Sequence, residues 1–450
     1  MKRLVAGIAI ALAVCAAAPG GAFALPPVKH VFVVVLENND YDQTFAGDSK
    51  APYLARTLRA KGLMLPNYYG IGHESLDNYI AMVSGQAPNP VTQADCQIFQ
   101  DVFPGIPTDD GQYIGSGCVY PPEVETIATQ LSSRGRTWKG YLEDMANGGP
   151  GEPRSCRHPA INSHDGTQQA KVGDQYAARH NPFVYFHAII DSPACSTNDV
   201  DYGELARDVR SSRTTPSFAM IVPNLCNDGH DDPCVDDKSQ PGGLPKIDAW
   251  LKREMPKLLR SPGFRDDSLL IVTFDEADDD DGSACCDEQH GPNTPNPAGP
   301  IPGPGGGRVG AVLISPFVRP GSMVSTPFNH YSLLRSIEDL FGLPHLGYAG
   351  RAGLVPFGSE VYNQTPALRI KVSRRRLPLR QRRTLRLRTN QQARIYFGGT
   401  CRRKPRTTDL NGGLRIRVRA RQQGRCRLLA KRRAWRSARA RVRVVRVRRR

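Results

Sequence analysis

The chain is poor in several things that would fix its class at once. No pair of cysteines has C-x-x-C spacing, so the usual signature of a thiolate metal site is missing. The opening apolar run, Leu4 to Ala18, falls short of the roughly 20 residues that a membrane span needs. Acidic residues all but vanish after Pro366: one, Asp409, stands against 32 Lys and Arg. Aromatic residues are equally sparse there, with only Tyr396, Phe397 and Trp435, so the base-stacking platform of a nucleic-acid binder is absent and sequence-specific recognition of nucleic acid is excluded. Nor is there the compositional bias of collagen or of a wholly disordered chain: 39% of residues are hydrophobic and 23% charged, although 43 Gly and 37 Pro mark a loop-rich protein.

What is present divides in two by charge. The overall +17 conceals a net of −14 over residues 1–365 and +31 over 366–450. Lys2 and Arg3, the apolar run and Ala22-Phe23-Ala24 follow the order of a secretory leader. The expected organisation is therefore a signal peptide over 1–24, a catalytic domain over 25–365, an Arg-rich β accessory domain over 366–450, and a secreted, extracellular product. Beyond Cys15 ten cysteines remain, an even number that points to disulfides in an oxidising compartment. Cys226 and Cys234 are close enough to staple a loop, Cys401 and Cys426 lie together in the basic region, and the adjacent Cys285 and Cys286 are expected to have separate partners.

Val28 to Leu36, Ser217 to Val222, Ser268 to Phe274 and Val309 to Ile314 are near-continuous apolar runs, the texture of strands buried on both faces of a parallel sheet. Helical spacing occupies 51–61, 76–84, 123–134, 244–259 and 331–341. Alternation of the two predicts a layered α/β/α core with a small C-terminal all-β, sandwich-like domain, the latter from Leu and Val alternating with Arg in TLRLRT, LRIRVRA and ARVRVVRV. A disordered Arg-rich tail is the competing reading. Gly291 to Arg308, with 12 Pro or Gly among 18 residues, predicts an irregular loop.

In such sheets ligands bind where strands end. Glu37-Asn38 follows the first strand and offers oxygen ligands to a hard cation, or simply makes a turn. Ser75 stands at the N-terminus of an apolar helix, where free N–H groups attract an anion; the plainer reading is an N-cap. Asp275-Glu276 ends another buried strand and opens an acidic run that is otherwise a solvated loop. Three such points from distant segments can converge on one metal with the serine beside it.

Here the chain resembles a known family, the bacterial phosphoesterases that include secreted acid phosphatases, phosphatidylinositol-3-phosphatase-like enzymes and phospholipases C, within the alkaline-phosphatase-like superfamily. The segments that carry the resemblance are VVLENNDYDQTFAG, NYYGIGHESLDNYIAMVSG, AARHNPFVYF, PNLCNDGHDD, TFDE and NHYSLLRSIEDLFGL. It implies that Glu37, Asn38, Ser75, Asp275 and Glu276 surround one divalent metal ion with Ser75 as nucleophile, and that Asn78 holds a phosphate oxygen. It also implies that His73, His180, His230 and His330 serve as leaving-group acid or phosphate contacts, with Asn181 beside His180 in the same motif. Relatives often carry a His where this chain has the 291–308 insertion; His290 or Arg308 is left to substitute. Asp77 replaces a common Pro and adds negative charge near an anionic substrate.

The function implied is a secreted, metal-dependent phosphomonoesterase acting on phosphoinositides or on phosphate esters broadly, through a phosphoserine. A phospholipase C-type phosphodiesterase, or a non-catalytic binder of anionic surfaces on the same fold, are the alternatives. The expected partners are a phosphate ester or phospholipid headgroup at the site and, through 366–450, an anionic membrane or cell-wall surface.

Overall fold

Successive side chains of a strand point to opposite faces of its sheet, so a strand buried at every position has both faces covered. His30–Leu36 (β1) and Ser268–Phe274 are such strands, each buried at all seven positions. The computed structural model describes residues 24–264, 267–278, 280–409 and 412–446; apart from Ala24, the leader read at 1–24 lies outside them. Among the described residues no helix is long and apolar enough to cross a membrane.

The central sheet has eight strands: β1, Leu63–Leu65 (β2), Trp138–Leu142 (β3), Asp199–Asp201 (β4), Phe218–Val222 (β5), Ser268–Phe274 (β6), Ala311–Ile314 (β7) and Ser322–Met323 (β8). Their spatial order is β8-β2-β7-β6-β1-β5-β3-β4. β1 pairs in parallel with β5 on one side and β6 on the other, and β3 and β4 continue the parallel run. The fourth apolar run corrects the sequence reading, because β7 is antiparallel to both of its neighbours, β6 and β2. A buried apolar strand presents the same composition in either direction; only the length of the connection reports direction, and the insertion disguised it. Helices Ser75–Ser84 (α1), Ile127–Ser133 (α2), Gly243–Arg260 (α3) and His330–Phe341 (α4) stand close to their expected positions.

Register decides where chemistry collects. Leu36 faces Phe274 across β1 and β6, which puts Glu37 beside Asp275. The Asp275 amide donates to Leu36 O at 2.9 Å, and the Glu37 amide to Asp228 O at 2.9 Å. The loop after β5 is thereby drawn to the same end of the sheet.

The C-terminal region folds into two β-sheets. Ile370–Val372 (β9), Arg382–Thr389 (β11) and Gly413–Arg419 (β14) make one; Arg376–Pro378 (β10), Arg394–Gly399 (β12), Arg403–Thr407 (β13), Gly424–Lys431 (β15) and Ala438–Val445 (β16) make the other. Leu385, Leu387, Ile416, Val418, Leu428 and Val442 turn inward while the intervening arginines are exposed. That alternation is a folded sheet's, and it overturns the disordered-tail reading. Trp435 meets Phe317 edge-on at 6.1 Å, Arg436 and Leu368 close a short backbone bridge, and Asp267 lies between Lys29 at 3.1 Å and Arg432 at 3.5 Å.

Disulfides join Cys96 to Cys118, Cys156 to Cys195 and Cys226 to Cys234. Cys285 and Cys286 are bonded to each other, contrary to expectation: the loop that holds them brings no other cysteine into reach. Cys401 and Cys426 are neighbours as expected, and stand as buried thiols.

Candidate active site

Ser75 is the first residue of α1 rather than its cap. The preceding Glu74 takes the cap position with extended backbone and makes no side-chain cap bond, so the serine hydroxyl is left for other work. It donates to Oε2 of Glu37 at 2.7 Å. Tyr79, one helical turn on, donates its phenol to Oε1 of the same carboxylate at 2.5 Å. All three side chains are buried.

Around Glu37 lie Asp228, Asp275 and Glu276, each at most 4% exposed. Burial first, and then repulsion from neighbouring carboxylates, pushes the pKa of all three well above the ordinary range. Asn38 donates to Glu276 Oε1 at 2.9 Å and its amide N–H to Asp275 Oδ1 at 3.3 Å. Its backbone is left-handed, with φ 51°, a conformation that Asn tolerates better than other side chains do.

His180 is stacked on Tyr79, ring centroids 5.5 Å apart. Its Nδ1 sits 3.1 Å from Asp228 Oδ2, and Nε2 lies 3.3 Å from Glu37 Oε2 but off hydrogen-bond geometry. Burial and the Arg179 charge hold its pKa well below the usual value, so the imidazole is neutral. With Nδ1–H given to Asp228, the Nε2 lone pair faces the Glu37 carboxylate, the orientation in which a carboxylate steadies a metal-binding histidine.

Three buried polar atoms here, Asn38 Oδ1, Asp275 Oδ2 and His180 Nε2, have no hydrogen-bond partner. Unpaired buried acceptors cost roughly 1–3 kcal/mol each, and a cluster of buried carboxylates costs more. A divalent cation answers both at once. Glu37, His180 and Asp228 can each bring a ligand atom within 4.8 Å of the others, and the set of carboxylate, amide oxygen and imidazole suits a hard or borderline ion. The residues present fit a metal.

Not every expected residue faces this centre. His330 is buried with its pKa lowered to about 4 by burial; because a carbonyl only accepts, its Nε2–H donates to Asp275 O at 2.6 Å and its Nδ1 takes the Tyr68 hydroxyl at 3.0 Å. It positions Asp275 and has no nitrogen to spare for substrate. Asn78 is likewise committed in this structure: Oδ1 accepts from the amides of Ile71 and Gly72 at 2.6 and 3.2 Å, and Nδ2 reaches Glu276 Oε2 at 3.0 Å. His73 Nε2 donates to Asp281 O at 2.7 Å, tying α1's entry to the acidic loop. His230 Nε2 is 3.0 Å from Arg179 and its Nδ1 2.9 Å from Asp231 Oδ1. An arginine only donates, so Nε2 is the acceptor of this bond. Asn181 gives its amide to Tyr176 and Asp199, a packing role that replaces the substrate contact expected of it. His290 is exposed and Arg308 reaches Asp42 at 2.5 Å and covers the Tyr41 ring; neither substitutes in the site, because the insertion is fastened elsewhere. Its end is held by Ala277 N to Gly306 O at 2.9 Å and Gly307 N to Ser283 O at 2.8 Å.

Asp77 also differs from expectation. It is 1% exposed, neither oxygen has a hydrogen-bond partner, and burial with Asp95 and Glu74 nearby drives its pKa well up. Burial thus works against the negative charge expected of it. Gly72 is required beside it, since a Cβ there would stand 2.4 Å from Asp77 Oδ2.

Sequence reasoning missed Asp228, Tyr79 and Arg179. Asp228 was discoverable by the rule that found the others, a carboxylate after a buried strand, had the rule allowed a six-residue loop. Tyr79 follows Ser75 by four residues and shares its helix face. Arg179 is 2% exposed, and a lone arginine beside a histidine carries no sequence signal of burial.

The phosphoesterase family model matches residues 47–344. The chain belongs to the phosphoesterase family. A probable acid phosphatase of Kluyveromyces lactis is 26% identical over 75% of this chain and 64% of its own length. A phosphatidylinositol-3-phosphatase of Mycobacterium tuberculosis is 26% identical over 74% of this chain and 83% of its own. The chain thus spans less than two thirds of the Kluyveromyces relative. A solved structure of a protein in the alkaline phosphatase superfamily from Vibrio parahaemolyticus aligns at 12% identity and TM-score 0.41 over 89% of this chain and 79% of that one.

Proposed function

We propose that the protein is an exported, metal-dependent phosphoesterase of the acid-phosphatase type. In this reading residues 25–365 carry the reaction, and 366–450 form a separate module that brings them to polyanionic material. The observation that carries the reading is the Ser75 hydroxyl donating to buried Glu37 at 2.7 Å, at a helix start ringed by carboxylates that fit a cation. The names of the relatives, acid phosphatase and phosphatidylinositol-3-phosphatase, favour phosphate monoesters, phosphoinositides among them. Four disulfides support an oxidising destination.

Glu37 orients the Ser75 hydroxyl and holds its proton as the oxygen advances on phosphorus. The new O–P bond forms as the ester O–P bond breaks and the departing alkoxide takes a proton from solvent; water then adds to the phosphoserine phosphorus as the Ser75 O–P bond breaks, the serine oxygen recovers its proton from Glu37, and the proton lost by the water returns to solvent as phosphate leaves. A divalent ion bound by Glu37, Asn38, Asp275 and Glu276, with His180 and Asp228 adjoining, would neutralise charge on the phosphoryl oxygens and favour the serine alkoxide. Tyr79 keeps the second Glu37 oxygen in place. His330 and Asn78 fix the segments that carry Asp275 and Ser75.

Ser75→Ala is expected to lower kcat/KM for a chromogenic phosphate monoester by more than about 10³-fold, the scale on which an enzyme without its nucleophile retains only residual catalysis. Thermal stability should be little changed. Turnover retained by the alanine protein would defeat the nucleophile assignment, and turnover of the matching diester alone would move the protein to the phospholipase C-type reading.

A further inference from the structure

The C-terminal sheets set like charges opposite one another. Across β9, β11 and β14, Lys371 faces Arg388, Arg386 faces Arg415 and Arg382 faces Arg419. Across β10, β15 and β16, Arg425 faces Arg443, Arg427 faces Arg441, and Arg376 also faces Arg443. Directly opposed like charges destabilise a sheet, and intramolecular relief is scarce. Among the described residues of this region, Arg432 is the one cation that reaches a carboxylate within 4.0 Å, that of Asp267. The lone acid, Asp409, turns its carboxylate to the Gly413 amide at 2.7 Å. Charges placed this way demand counter-ions, and their release is the driving force by which cationic surfaces bind polyanions.

One face has the shape of a site. An open recess of about 1060 Å³ is lined by Lys371, Arg386, Arg388 and Arg415 together with the hydroxyl residues Ser373 and Thr407, and by Asp409, whose carboxylate is taken up by the Gly413 amide. Alternate residues of a strand stand roughly 6.7 Å apart and neighbouring strands about 4.8 Å, so its cations form a close grid. Nearly all the basic residues of the region are arginines, whose forked donors match phosphate oxygens in pairs.

We infer that this recess on the β9-β11-β14 sheet binds a linear phosphate polymer, a flexible chain of repeating phosphate charges without bases. Concavity disfavours a flat bilayer, and the region offers no apolar group to insert: Tyr396 is its one exposed large hydrophobic residue among those described, and it is covered by Arg394 and Lys431. That same cover leaves no ring for stacking bases. The inference deepens the attachment role given above to residues 366–450 and is independent of the reaction at Ser75.

The full exported chain would be titrated, by fluorescence anisotropy, with labelled long-chain inorganic polyphosphate and, separately, with poly(glycerol phosphate), at several salt concentrations. Oligo-dT and anionic lipid vesicles run alongside. Both phosphate polymers should bind, or one of them if the repeat spacing selects, with log K falling linearly in log salt. The variant Arg386→Gln/Arg388→Gln/Arg415→Gln should bind at least about tenfold more weakly and lose about 2 to 3 from the salt slope, close to one per phosphate contact removed. A control triple on the other sheet, Arg425→Gln/Arg427→Gln/Arg441→Gln, should bind more tightly than the recess triple. Circular dichroism and a thermal melt matching wild type report that the sheets of each triple are folded, and Ser75→Ala should bind polymer normally, which separates this inference from the catalytic one. Equal binding by wild type and recess triple, equal losses in the two triples, or preference for vesicles or oligo-dT over both polymers would overturn it.

Discussion

Tyr79 donates its phenol to Oε1 of Glu37 at 2.5 Å while the other oxygen of that carboxylate takes the Ser75 hydroxyl. One buried carboxylate is therefore aimed by a residue one helical turn beyond the group it serves. Hydrogen bonds to charged groups contribute about 1.5–3 kcal/mol. Tyr79→Phe is expected to cut kcat/KM by about 10- to 100-fold, mainly in kcat, with the His180 stack preserved. A steady-state comparison on a soluble monoester checks this, and an unchanged kcat would show that Glu37 is held without the phenol.

Removal of divalent ions is a second test. Asp228, Asp275 and Glu276, whose pKa values burial and mutual repulsion raise, crowd against the Glu37 carboxylate, and an ion bound only by the folded state stabilises it by about 2.7 kcal/mol at a hundredfold excess over Kd. Exhaustive dialysis against chelator should lower Tm, and adding back a divalent salt should restore it. In Asp275→Asn protein the restoring rise should shrink. A Tm indifferent to chelator and salt would argue that no cation belongs there, whatever the activity does.

Asp199 gives a pH dependence away from the catalytic centre. Burial raises its pKa from 3.8 to about 7, partly offset by the Asn181 amide. The folded state then holds a proton that the unfolded state gives up between pH 4 and 7, so stability falls as pH rises through that interval and the penalty is complete above about 7. Three units correspond to at most about 4 kcal/mol. Asp199→Asn, which keeps an oxygen for Asn181, should match wild type in Tm near pH 4 and exceed it near pH 7.5. Parallel Tm curves from pH 4 to 8 would contradict the buried-acid account.

Much of this was open to reading from the sequence, for a physical reason. Glu37 and Asp275 follow strands so apolar that their ends were unmistakable, and in-register pairing of Leu36 with Phe274 then forces the carboxylates together. β3 was not legible because its sequence, WKGYL, interrupts the apolar pattern; Gly140 is there since a Cβ would stand 2.6 Å from Asp199 Oδ1 and 2.8 Å from the Phe183 ring. β2, three residues long, is too brief to show any period. The histidine roles failed differently. A motif states which residue types occur together, whereas tautomers and partners, such as the Asp275 carbonyl that occupies His330, exist only once the loops have closed.

The reversed direction of β7 has one more consequence. Because β7 runs back along β6, the Pro- and Gly-rich insertion before it leaves and rejoins the sheet at the end where Ser75 and Glu37 lie, and backbone bonds at Gly306 and Gly307 fix its return. Residues can be added to or taken from its middle without shifting the register of a single strand. Among descendants of one ancestor, this rim is where selectivity is free to diverge while the reaction beneath it stays constant.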